Sequence, residues 1–396
     1  MSARLQPEFM VGVTGTNGKT SVTHWIAQAL ERRGRRCALV GTLGNGFLGA
    51  LESGPNTTPG AHVLADILPA FVRQGAVACA MEVSSIGLHQ NRVAGVRFDV
   101  AVFTNLTRDH LEYHGTMEAY AAEKAKLFAR PELKAAVLNL DDAFGRELAA
   151  RLRGKVPTFG YTLADGSGAD EVLAATGIED SGHGIHFAVG GVRFAAPLVG
   201  RFNVANLLAV TGALLAGGER LTDIAAALTD LAPPPGRMQA VGGSDAPLVV
   251  IDYAHSPDAL EQALTTLRGT AAARGGRLVC VFGCGGDRDP GKRPLMGAVA
   301  ERLADAVVLT SDNPRSEDPL AILAAIRAGM QSAPTVESDR AAAIEMAVRS
   351  AHARDVILLA GKGHEPYQEI AGVRLPFSDL DSAKSALAGR RKETAC

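Results

Sequence analysis

Residues 9–33 read FMVGVTGTNGKTSVTHWIAQALERR and combine an apolar run, a glycine-rich loop and a helical segment. The run from Phe9 to Thr14 predicts a buried strand, and Ser21 to Arg33 predicts the helix after it. Glycines in the intervening GTNGKT would let backbone N–H groups turn toward phosphate oxygens, and the helix would add the positive end of its dipole. Lys19 would neutralise phosphate charge, and the Thr20 hydroxyl suits Mg²⁺. The stretch therefore predicts a phosphate-binding loop, the alternative being an ordinary glycine-rich turn.

Composition and charge describe an ordinary soluble protein. The chain has 396 residues, of which 47% are hydrophobic and 21% charged, with a formal net charge of −2. This length suggests roughly two to three domains, and the charge balance argues against a general nucleic-acid binder. Neither a membrane span nor a secretory signal is predicted, and the five cysteines have no metal or redox spacing. We expect a cytoplasmic protein with no nucleic-acid partner and no membrane insertion.

Apolar strand-like runs alternate with amphipathic helical stretches, a pattern typical of an α/β fold with parallel sheets. Three prolines and a glycine at 233–236 interrupt this alternation. We predict a central parallel-sheet domain that contains the P-loop (1–232) and a Rossmann-like, doubly wound C-terminal domain (233–396). The glycine-rich segment 154–199, which lacks strong helices, is predicted to form an antiparallel flank of the first domain. The other predicted strands are 77–82, 100–104, 135–139, 248–252, 277–282, 306–310 and 355–360, and the other predicted helices are 221–231, 258–268, 293–304, 320–330 and 340–351.

A series of motifs along the chain resembles the Mur ligase family. The loop itself departs from the strict Gly-x4-Gly-Lys-Ser/Thr pattern, because Val13 stands where the first glycine belongs, and TGTNGKT is similar to the loop of Mur ligases and their folylpolyglutamate synthase relatives. The remaining motifs resemble the branch that adds the third peptide residue to a muramyl dipeptide. They are NTTP (56–59), EVSS (82–85), TNLTRDHL (104–111), GRFN (200–203), PGRM (235–238), DYAHSPD (252–258), FGCGGDRDPGKRP (282–294), DNPR (312–315) and GKGHE (361–365).

The resemblance implies an ATP-dependent ligase of peptidoglycan biosynthesis that forms an amide bond through an acyl phosphate. It implies that meso-diaminopimelate is added to the D-glutamate carboxylate of a muramyl dipeptide-type acceptor, with ATP and Mg²⁺ required. Small-molecule substrates and a monomeric enzyme are expected. Two alternatives stay open: a related ligase that joins an amino acid to a UDP-free acceptor in a biosynthetic or recycling pathway, and a non-catalytic nucleotide-binding protein.

Family motifs also imply roles for individual residues. The catalytic set is Lys19, Glu82, His110 and Lys124, where Lys124 occupies the position that is carbamylated in the family. The metal ligands would be Thr20, Glu82, His110 and the Lys124 carbamate. The implied ATP-binding residues are Gly15, Thr16, Asn17, Gly18, Lys19, Thr20, Ser21, Asn203, Asn206, Arg237, Asp252 and His255. The implied acceptor-binding residues are Asn56, Thr57, Thr58, Ser84, Gln90 and Arg92.

Several of these residues have a purely structural alternative. Glu82 could be a solvent-exposed glutamate at a strand end, and Lys124 an exposed helix lysine. Asp109 and His110 could cap the next helix, and Asn206 could be a hydrogen-bonded core residue. His114, one helical turn after His110, is a weaker metal-ligand candidate.

The tetrapeptide DNPR (312–315) bears on the choice of amino acid. In the family its arginine marks enzymes that take meso-diaminopimelate, whose far carboxylate a guanidinium can bind through two parallel hydrogen bonds. A lysine substrate would present an ammonium there and be repelled. The implied amino-acid-binding residues are Arg288, Asp312, Asn313, Arg315, Gly361 and Glu365. The alternative for Arg315 is a solvent-facing turn residue.

The resemblance fails at the amino terminus. Such ligases carry a domain ahead of the phosphate loop that binds the uridine nucleotide, whereas the loop here begins at Gly15. Either this sequence is shortened, or the natural enzyme uses an acceptor without a UDP group. Ile86 is a smaller departure, because many relatives have histidine there. The ligase chemistry is therefore predicted more firmly than the acceptor.

Overall fold

A computed structural model describes residues 5–180, 184–198, 200–243 and 245–393. These residues form two compact units, the first ending at Ala232 and the second beginning at Pro233. Because three consecutive prolines remove backbone donors and fix φ, residues 233–235 cannot extend the preceding helix. Among the described residues, no helix has both the length and the apolar character needed to cross a membrane.

The first unit is built on a sheet with strand order β4-β3-β2-β5-β1-β6-β7-β8-β9. All neighbouring strands from β2 to β9 in that order are parallel, whereas β3 and β4 are antiparallel additions. The strands are β1 Phe9–Thr14, β2 Cys37–Gly41, β3 Gly44–Phe47, β4 Ala50–Glu52, β5 Ala78–Glu82, β6 Val100–Phe103, β7 Ala135–Asn139, β8 Thr158–Thr162 and β9 Glu171–Ala174. The helices are α1 Lys19–Arg32, α2 Ala61–Arg73, α3 Ser85–His89, α4 Leu111–His114, α5 Met117–Ala125, α6 Ala143–Leu152, α7 Arg201–Ala216 and α8 Leu221–Ala227.

Side chains of β1 alternate between two apolar cores, one on each face of the sheet. Phe9, Val11 and Val13 pack in the core that contains α1 and α7, and Met10 packs in the core on the other face. This is the burial expected of a strand covered on both sides. Because the strands are parallel, their carboxyl ends meet at one edge, where α/β folds place ligand sites.

The segment 154–199 corrects a prediction. Its first two strands, β8 and β9, are parallel members of the main sheet, so the predicted antiparallel flank is wrong for this part. Only β10 (Thr176–Asp180), β11 (Ile185–Val189) and β12 (Val192–Ala196) form a separate antiparallel sheet. Residues 181–183 and 199 of the predicted flank lie outside the described residues.

The second unit has a six-stranded sheet of order β13-β14-β18-β15-β16-β17, parallel except for β13 at one edge. Its elements are β13 Gln239–Gly242, β14 Leu248–Asp252, α9 Pro257–Arg274, β15 Leu278–Phe282, α10 Lys292–Leu303, β16 Ala306–Leu309, α11 Pro319–Arg327, β17 Thr335–Val336, α12 Arg340–Ser350, β18 Val356–Ala360, β19 Tyr367–Ile370, β20 Val373–Pro376 and α13 Asp379–Glu393. Strands β19 and β20 form a hairpin. The predicted α/β class is confirmed, and the boundaries of the predicted elements are either unchanged or moved by up to six residues.

Candidate active site

The loop between β1 and α1 has the backbone conformation that its glycines predict. Gly15 and Gly18 have φ values of 149° and 86°, which residues with a Cβ rarely adopt. A Cβ at Gly15 would lie 1.9 Å from Thr104 Oγ1, and one at Gly18 would lie 2.5 Å from Asn206 Oδ1. The loop is therefore closely packed, and α1 begins directly after it at Lys19.

The loop that follows β6 is hydrogen-bonded to the phosphate loop. Thr104 Oγ1 donates to Asn17 O over 2.6 Å, and Asn17 N donates to Asn105 Oδ1 over 2.8 Å. Thr107 N donates to Thr16 Oγ1 over 3.0 Å. These contacts join residues about 90 positions apart in sequence, so they hold the phosphate loop in place before any ligand binds.

Two lysine amines converge on one backbone carbonyl. The Nζ atoms of Lys19 and Lys124 each donate to Gly15 O over 2.9 Å. Lys124 is buried, with 1% of its surface exposed, and burial together with the nearby Lys19 charge holds the pKa of Lys124 well below its usual value. Lys124 is therefore not the exposed helix lysine of the structural alternative, and its amine is disposed to be neutral.

The side chain of Glu82 lies at the carboxyl end of β5, beside the start of α1. Thr20 Oγ1 donates to Glu82 Oε2 over 3.0 Å, while Thr42 donates its N–H to Oε1 over 2.8 Å and its hydroxyl to Oε2 over 3.1 Å. Only 1% of Glu82 is exposed, which excludes the solvent-exposed alternative. A carboxylate beside a hydroxyl is a hard oxygen donor set that fits Mg²⁺. Among the described residues, no three His, Cys, Asp or Glu side chains form a complete metal cluster, so phosphate or water would have to supply further ligands.

His110 and Lys124 both lie close to the ring of Tyr120. The centroids of the His110 and Tyr120 rings are 6.3 Å apart, and Lys124 Nζ is 4.2 Å from the Tyr120 ring centroid. His110 occupies the N-cap position of α4, but its side chain makes no capping hydrogen bond. His114 instead hydrogen-bonds Ser85 Oγ through Nε2 over 2.9 Å, and burial lowers its pKa.

Most of the predicted acceptor residues adjoin Glu82. Thr57 Oγ1 is 3.0 Å from Thr42 Oγ1, and Thr58 Oγ1 hydrogen-bonds both Glu82 O and Ser84 Oγ. Arg92 donates from Nη1 to Thr58 O over 2.8 Å, and from Nε and Nη2 to Gln90 Oε1. A carboxylate ligand would have to displace this Arg92–Gln90 contact. Asn56 lies exposed on the preceding loop.

Asn203 and Asn206 lie on the first turns of α7 and are buried. Asn206 Nδ2 donates to Asn203 Oδ1 over 3.2 Å, and its Oδ1 faces Gly18 of the phosphate loop. Asn206 is therefore both a hydrogen-bonded core residue and a neighbour of the phosphate loop.

In the second unit, the three predicted nucleotide-binding residues gather around Tyr253. The Arg237 guanidinium lies 4.6 Å from the Tyr253 ring centroid, and the hydrogen bond of His255 Nδ1 to Tyr253 O is 2.8 Å long. Asp252 Oδ2 accepts from Met238 N over 2.8 Å, and burial raises the pKa of Asp252 although Arg237 opposes the shift.

The predicted amino-acid-binding residues follow the carboxyl ends of three adjacent parallel strands, β16, β15 and β18. Arg315 Nη1 donates to Gly286 O over 2.7 Å, and a Cβ at Gly285 would lie 2.9 Å from Arg315 Nη1 and 3.6 Å from Arg288 Cγ. The two arginines therefore border the same glycine. Asn313 Nδ2 donates to Glu365 Oε2 over 2.7 Å, and Gly361 adjoins Asp312, whose Oδ2 would lie 2.6 Å from a Cβ at Gly361.

Sequence reasoning did not assign a role to Thr42, Thr104, Asn105, Tyr120 or Lys362, all of which contact candidate residues. Thr104 and Asn105 fall within the TNLTRDHL motif, and Lys362 within GKGHE, so the motifs offered a signal for them. Thr42 lies in no quoted motif.

The chain matches two family models in succession. Residues 13–214 match the Mur ligase middle domain, and residues 236–363 match the Mur ligase, glutamate ligase domain. The chain belongs to the Mur ligase family, the ATP-dependent ligases that form acid–amino-acid amide bonds.

Close relatives carry one enzyme name. The chain is 56% identical over 382 residues to the UDP-N-acetylmuramoyl-L-alanyl-D-glutamate–2,6-diaminopimelate ligase of Chromobacterium violaceum, covering 96% of this chain and 77% of the relative. It is 55% identical over 390 residues to the enzyme of that name from Pseudomonas aeruginosa, covering 96% and 78%. A solved structure of that name is 42% identical with a TM-score of 0.68, covering 98% of this chain and 80% of the other. The family resemblance predicted from the motifs is confirmed.

Proposed function

We propose that this chain uses ATP to join meso-diaminopimelate to the D-glutamate carboxylate of a UDP-linked muramyl dipeptide. The observation that carries the proposal is the pair of arginines, Arg288 and Arg315, that borders Gly285 beside the Asn313–Glu365 hydrogen bond. Two cations and one carboxylate complement a substrate that ends in a carboxylate and an ammonium. The name shared by the relatives supports the same substrates.

The phosphate loop would hold the triphosphate. Gly15 to Ser21 would contribute backbone N–H groups and the amino end of α1, and Lys19 would neutralise the β- and γ-phosphates. Thr20 and Glu82 would hold one Mg²⁺, and His110 with the Lys124 carbamate a second. When bound, Mg²⁺ neutralises charge on the transferring phosphoryl group.

Lys124 would act as a carbamate. A neutral amine adds to CO₂ and releases one proton, which leaves an anionic pair of oxygens in place of the amine. The burial of Lys124 and the nearby positive charge of Lys19 support this chemistry, because both disfavour the ammonium form.

Each unit, taken by itself, offers candidate groups for the nucleoside part of ATP. The first unit offers the amide groups of Asn203 and Asn206, and the second offers Asp252 as an acceptor for a ribose hydroxyl. Arg237 and His255 stand beside Asp252 around Tyr253, an arrangement that suits an aromatic base near phosphate. The acceptor peptide would bind at Asn56, Thr57, Thr58, Ser84, Gln90 and Arg92.

The reaction would proceed in two displacements. An oxygen of the acceptor carboxylate attacks the γ-phosphorus, ADP leaves, and an acyl phosphate forms. The amine of diaminopimelate then attacks the acyl carbon, loses a proton, and expels inorganic phosphate. That amino acid would be oriented by Arg288, Arg315, Asp312, Asn313, Gly361 and Glu365.

A phosphate-release assay tests the proposal. Amino acids are varied against UDP-linked and UDP-free muramyl dipeptides, and the amide product is identified by mass spectrometry. We expect release to require acceptor and meso-diaminopimelate together, with L-lysine at least about tenfold poorer in kcat/KM. Arg315→Ala should weaken use of diaminopimelate far more than ATP binding.

The outcomes separate the alternatives. Equal efficiency with a UDP-free dipeptide would contradict the proposed acceptor and support the recycling-type ligase. No release with any pair would support a non-catalytic nucleotide-binding protein. We further propose a cytoplasmic location, where ATP is available, and a monomeric state, which analytical ultracentrifugation would check.

A further inference from the structure

A fully buried lysine joins the two loops that carry the predicted amino-acid-binding residues. Lys362 follows β18 and has 0% of its surface exposed. Its Nζ donates to Asn313 Oδ1 over 3.1 Å and to Glu365 Oε2 over 3.2 Å, and it lies 3.8 Å from Asp312 Oδ1. The two loops come from different strands, so Lys362 connects positions 49 residues apart in sequence.

These contacts fix the orientation of the Asn313 amide. Asn313 Oδ1 accepts from Lys362 Nζ and also from Glu369 N over 2.9 Å. The amide nitrogen is thereby turned toward Glu365, to which it donates over 2.7 Å. A reversed amide would place its NH₂ group against two donors and lose three hydrogen bonds.

The same network gives the two oxygens of the Glu365 carboxylate different surroundings. Oε2 accepts from both Lys362 and Asn313, whereas Oε1 receives no hydrogen bond from the residues that the structure describes. The Glu365 side chain is 19% exposed, so Oε1 is the oxygen available to a ligand.

Lys362 also places a positive charge beside two carboxylates. Two carboxylates, Asp312 and Glu365, lie within 4 Å of its ammonium. Without the Lys362 ammonium, the two carboxylates would repel each other in a partly desolvated site. An unpaired buried charge also costs free energy. Glu365 could then relieve the repulsion by rotating toward solvent, which would move its acceptor oxygens out of the pocket.

We propose that Lys362 is a positioning residue that determines amino-acid selectivity by holding Glu365 Oε1 in a fixed orientation toward the distal ammonium of the incoming amino acid. The inference rests on the proposed function for the identity of that amino acid. Lys362 would not itself touch the substrate, because it is fully buried behind Asn313 and Glu365.

Steady-state kinetics of Lys362→Met test the proposal, with Lys384→Met, an exposed lysine of α13, as the control. We expect KM for the amino acid to rise roughly tenfold or more, while KM for ATP changes less than about twofold. In Lys362→Gln, which keeps a hydrogen-bond donor but no charge, KM for the amino acid should lie between the values of the wild type and Lys362→Met. In a Glu365→Gln background, the Lys362→Met substitution should have little further effect on that KM.

A measurement without turnover keeps the inference separate from the proposed function. Hydrogen exchange of the unliganded protein should accelerate at residues 312–317 and 361–369 in Lys362→Met, and not in Lys384→Met. If the wild type rejects diaminopimelate, the proposed function fails, and KM for the amino acid it does accept still tests Lys362. Unchanged KM and unchanged exchange would overturn the inference, as would equal rises in KM for ATP and amino acid.

Discussion

The proposed carbamate at Lys124 can be tested with a single substitution. Its amine is buried and shares Gly15 O with Lys19, so it can exist as a neutral nucleophile toward CO₂. We predict that Lys124→Ala lowers kcat at least about a hundredfold, because alanine has no amine that can form a carbamate. Removing dissolved CO₂ should slow the wild type, and bicarbonate should restore it.

The control is Lys126→Ala on the same stretch of chain, because Lys126 is exposed and forms an i,i+3 salt bridge with Glu123. It should retain its activity. Bicarbonate should not rescue Lys124→Ala. Wild-type turnover by Lys124→Ala would refute the carbamate role.

His364 gives a prediction about stability and pH. Burial and the Arg237 charge lower the pKa of His364 from 6.5 to about 4. Between these two values the unfolded chain binds a proton that the folded chain does not, so stability falls as pH falls. From pH 7 to pH 5 this residue alone should cost about 2 kcal/mol of unfolding free energy.

Urea unfolding at both pH values measures this effect. The stability of His364→Gln should fall less over the same interval, by about the stated amount, whereas the exposed His352→Gln should follow the wild type. Identical pH dependence of the wild type and His364→Gln would show that the folded protein does not disfavour the protonated imidazole.

Sequence patterns predict local conformation better than contacts between distant residues. Lys19 and Thr20 stand beside two glycines whose predicted turn conformation is present in the structure. Thr42 holds both oxygens of Glu82, but it does so from 40 residues away, and only the pairing of β2 with β5 brings the two together. Such contacts depend on strand order, which one sequence does not specify.

At the scale of elements, a buried ion pair joins α12 to α13. Arg340 donates from Nε and Nη2 to the two carboxylate oxygens of Asp379, each over 2.7 Å, and both side chains are 0% exposed. Arg340 also donates to Ser311 O and Ala360 O, immediately before the DNPR and GKGHE motifs. We predict that Arg340→Met lowers the unfolding free energy by about 3–5 kcal/mol, because it leaves the Asp379 charge buried and unpaired.

Chemical unfolding followed by circular dichroism checks this cost. Adding Asp379→Leu to Arg340→Met should recover much of the lost stability, since the double variant buries no charge. The matched control is the exposed pair Arg302–Glu261 between α10 and α9, where Arg302→Met should cost less than about 1 kcal/mol. Equal effects at the two pairs would contradict the prediction.

The prediction of an antiparallel flank at 154–199 was wrong because of the connection between β8 and β9. A parallel neighbour usually requires a long crossover, so a segment without strong helices suggested antiparallel pairing. Asp170 overrides that expectation, because its Oδ2 accepts from both N and Oγ1 of Thr158 over 2.8 Å. This contact places the start of β9 beside the start of β8, and the two strands then run in the same direction.

Taken over the whole chain, sequence periodicity predicted eight of the parallel strands, four in each unit, because they are buried on two faces and therefore continuously apolar. It did not predict the buried parallel strand β2, the two-residue strand β17, the strands β3, β4 and β13 or the β19–β20 hairpin. Gly44 and Gly46 leave β3 without an apolar alternation, and β20 is exposed along its length. Edges carry weak hydrophobic signals because one side faces solvent.

In the proposed reaction, γ-phosphoryl transfer to the acceptor carboxylate precedes amide formation. An acceptor dipeptide labelled with ¹⁸O in its D-glutamate carboxylate tests it directly, with released phosphate analysed by mass spectrometry. We predict one labelled oxygen in each phosphate released per amide bond formed, because the oxygen that attacks phosphorus leaves with it. Amide formation that releases only unlabelled phosphate would rule out an acyl phosphate on the reaction path.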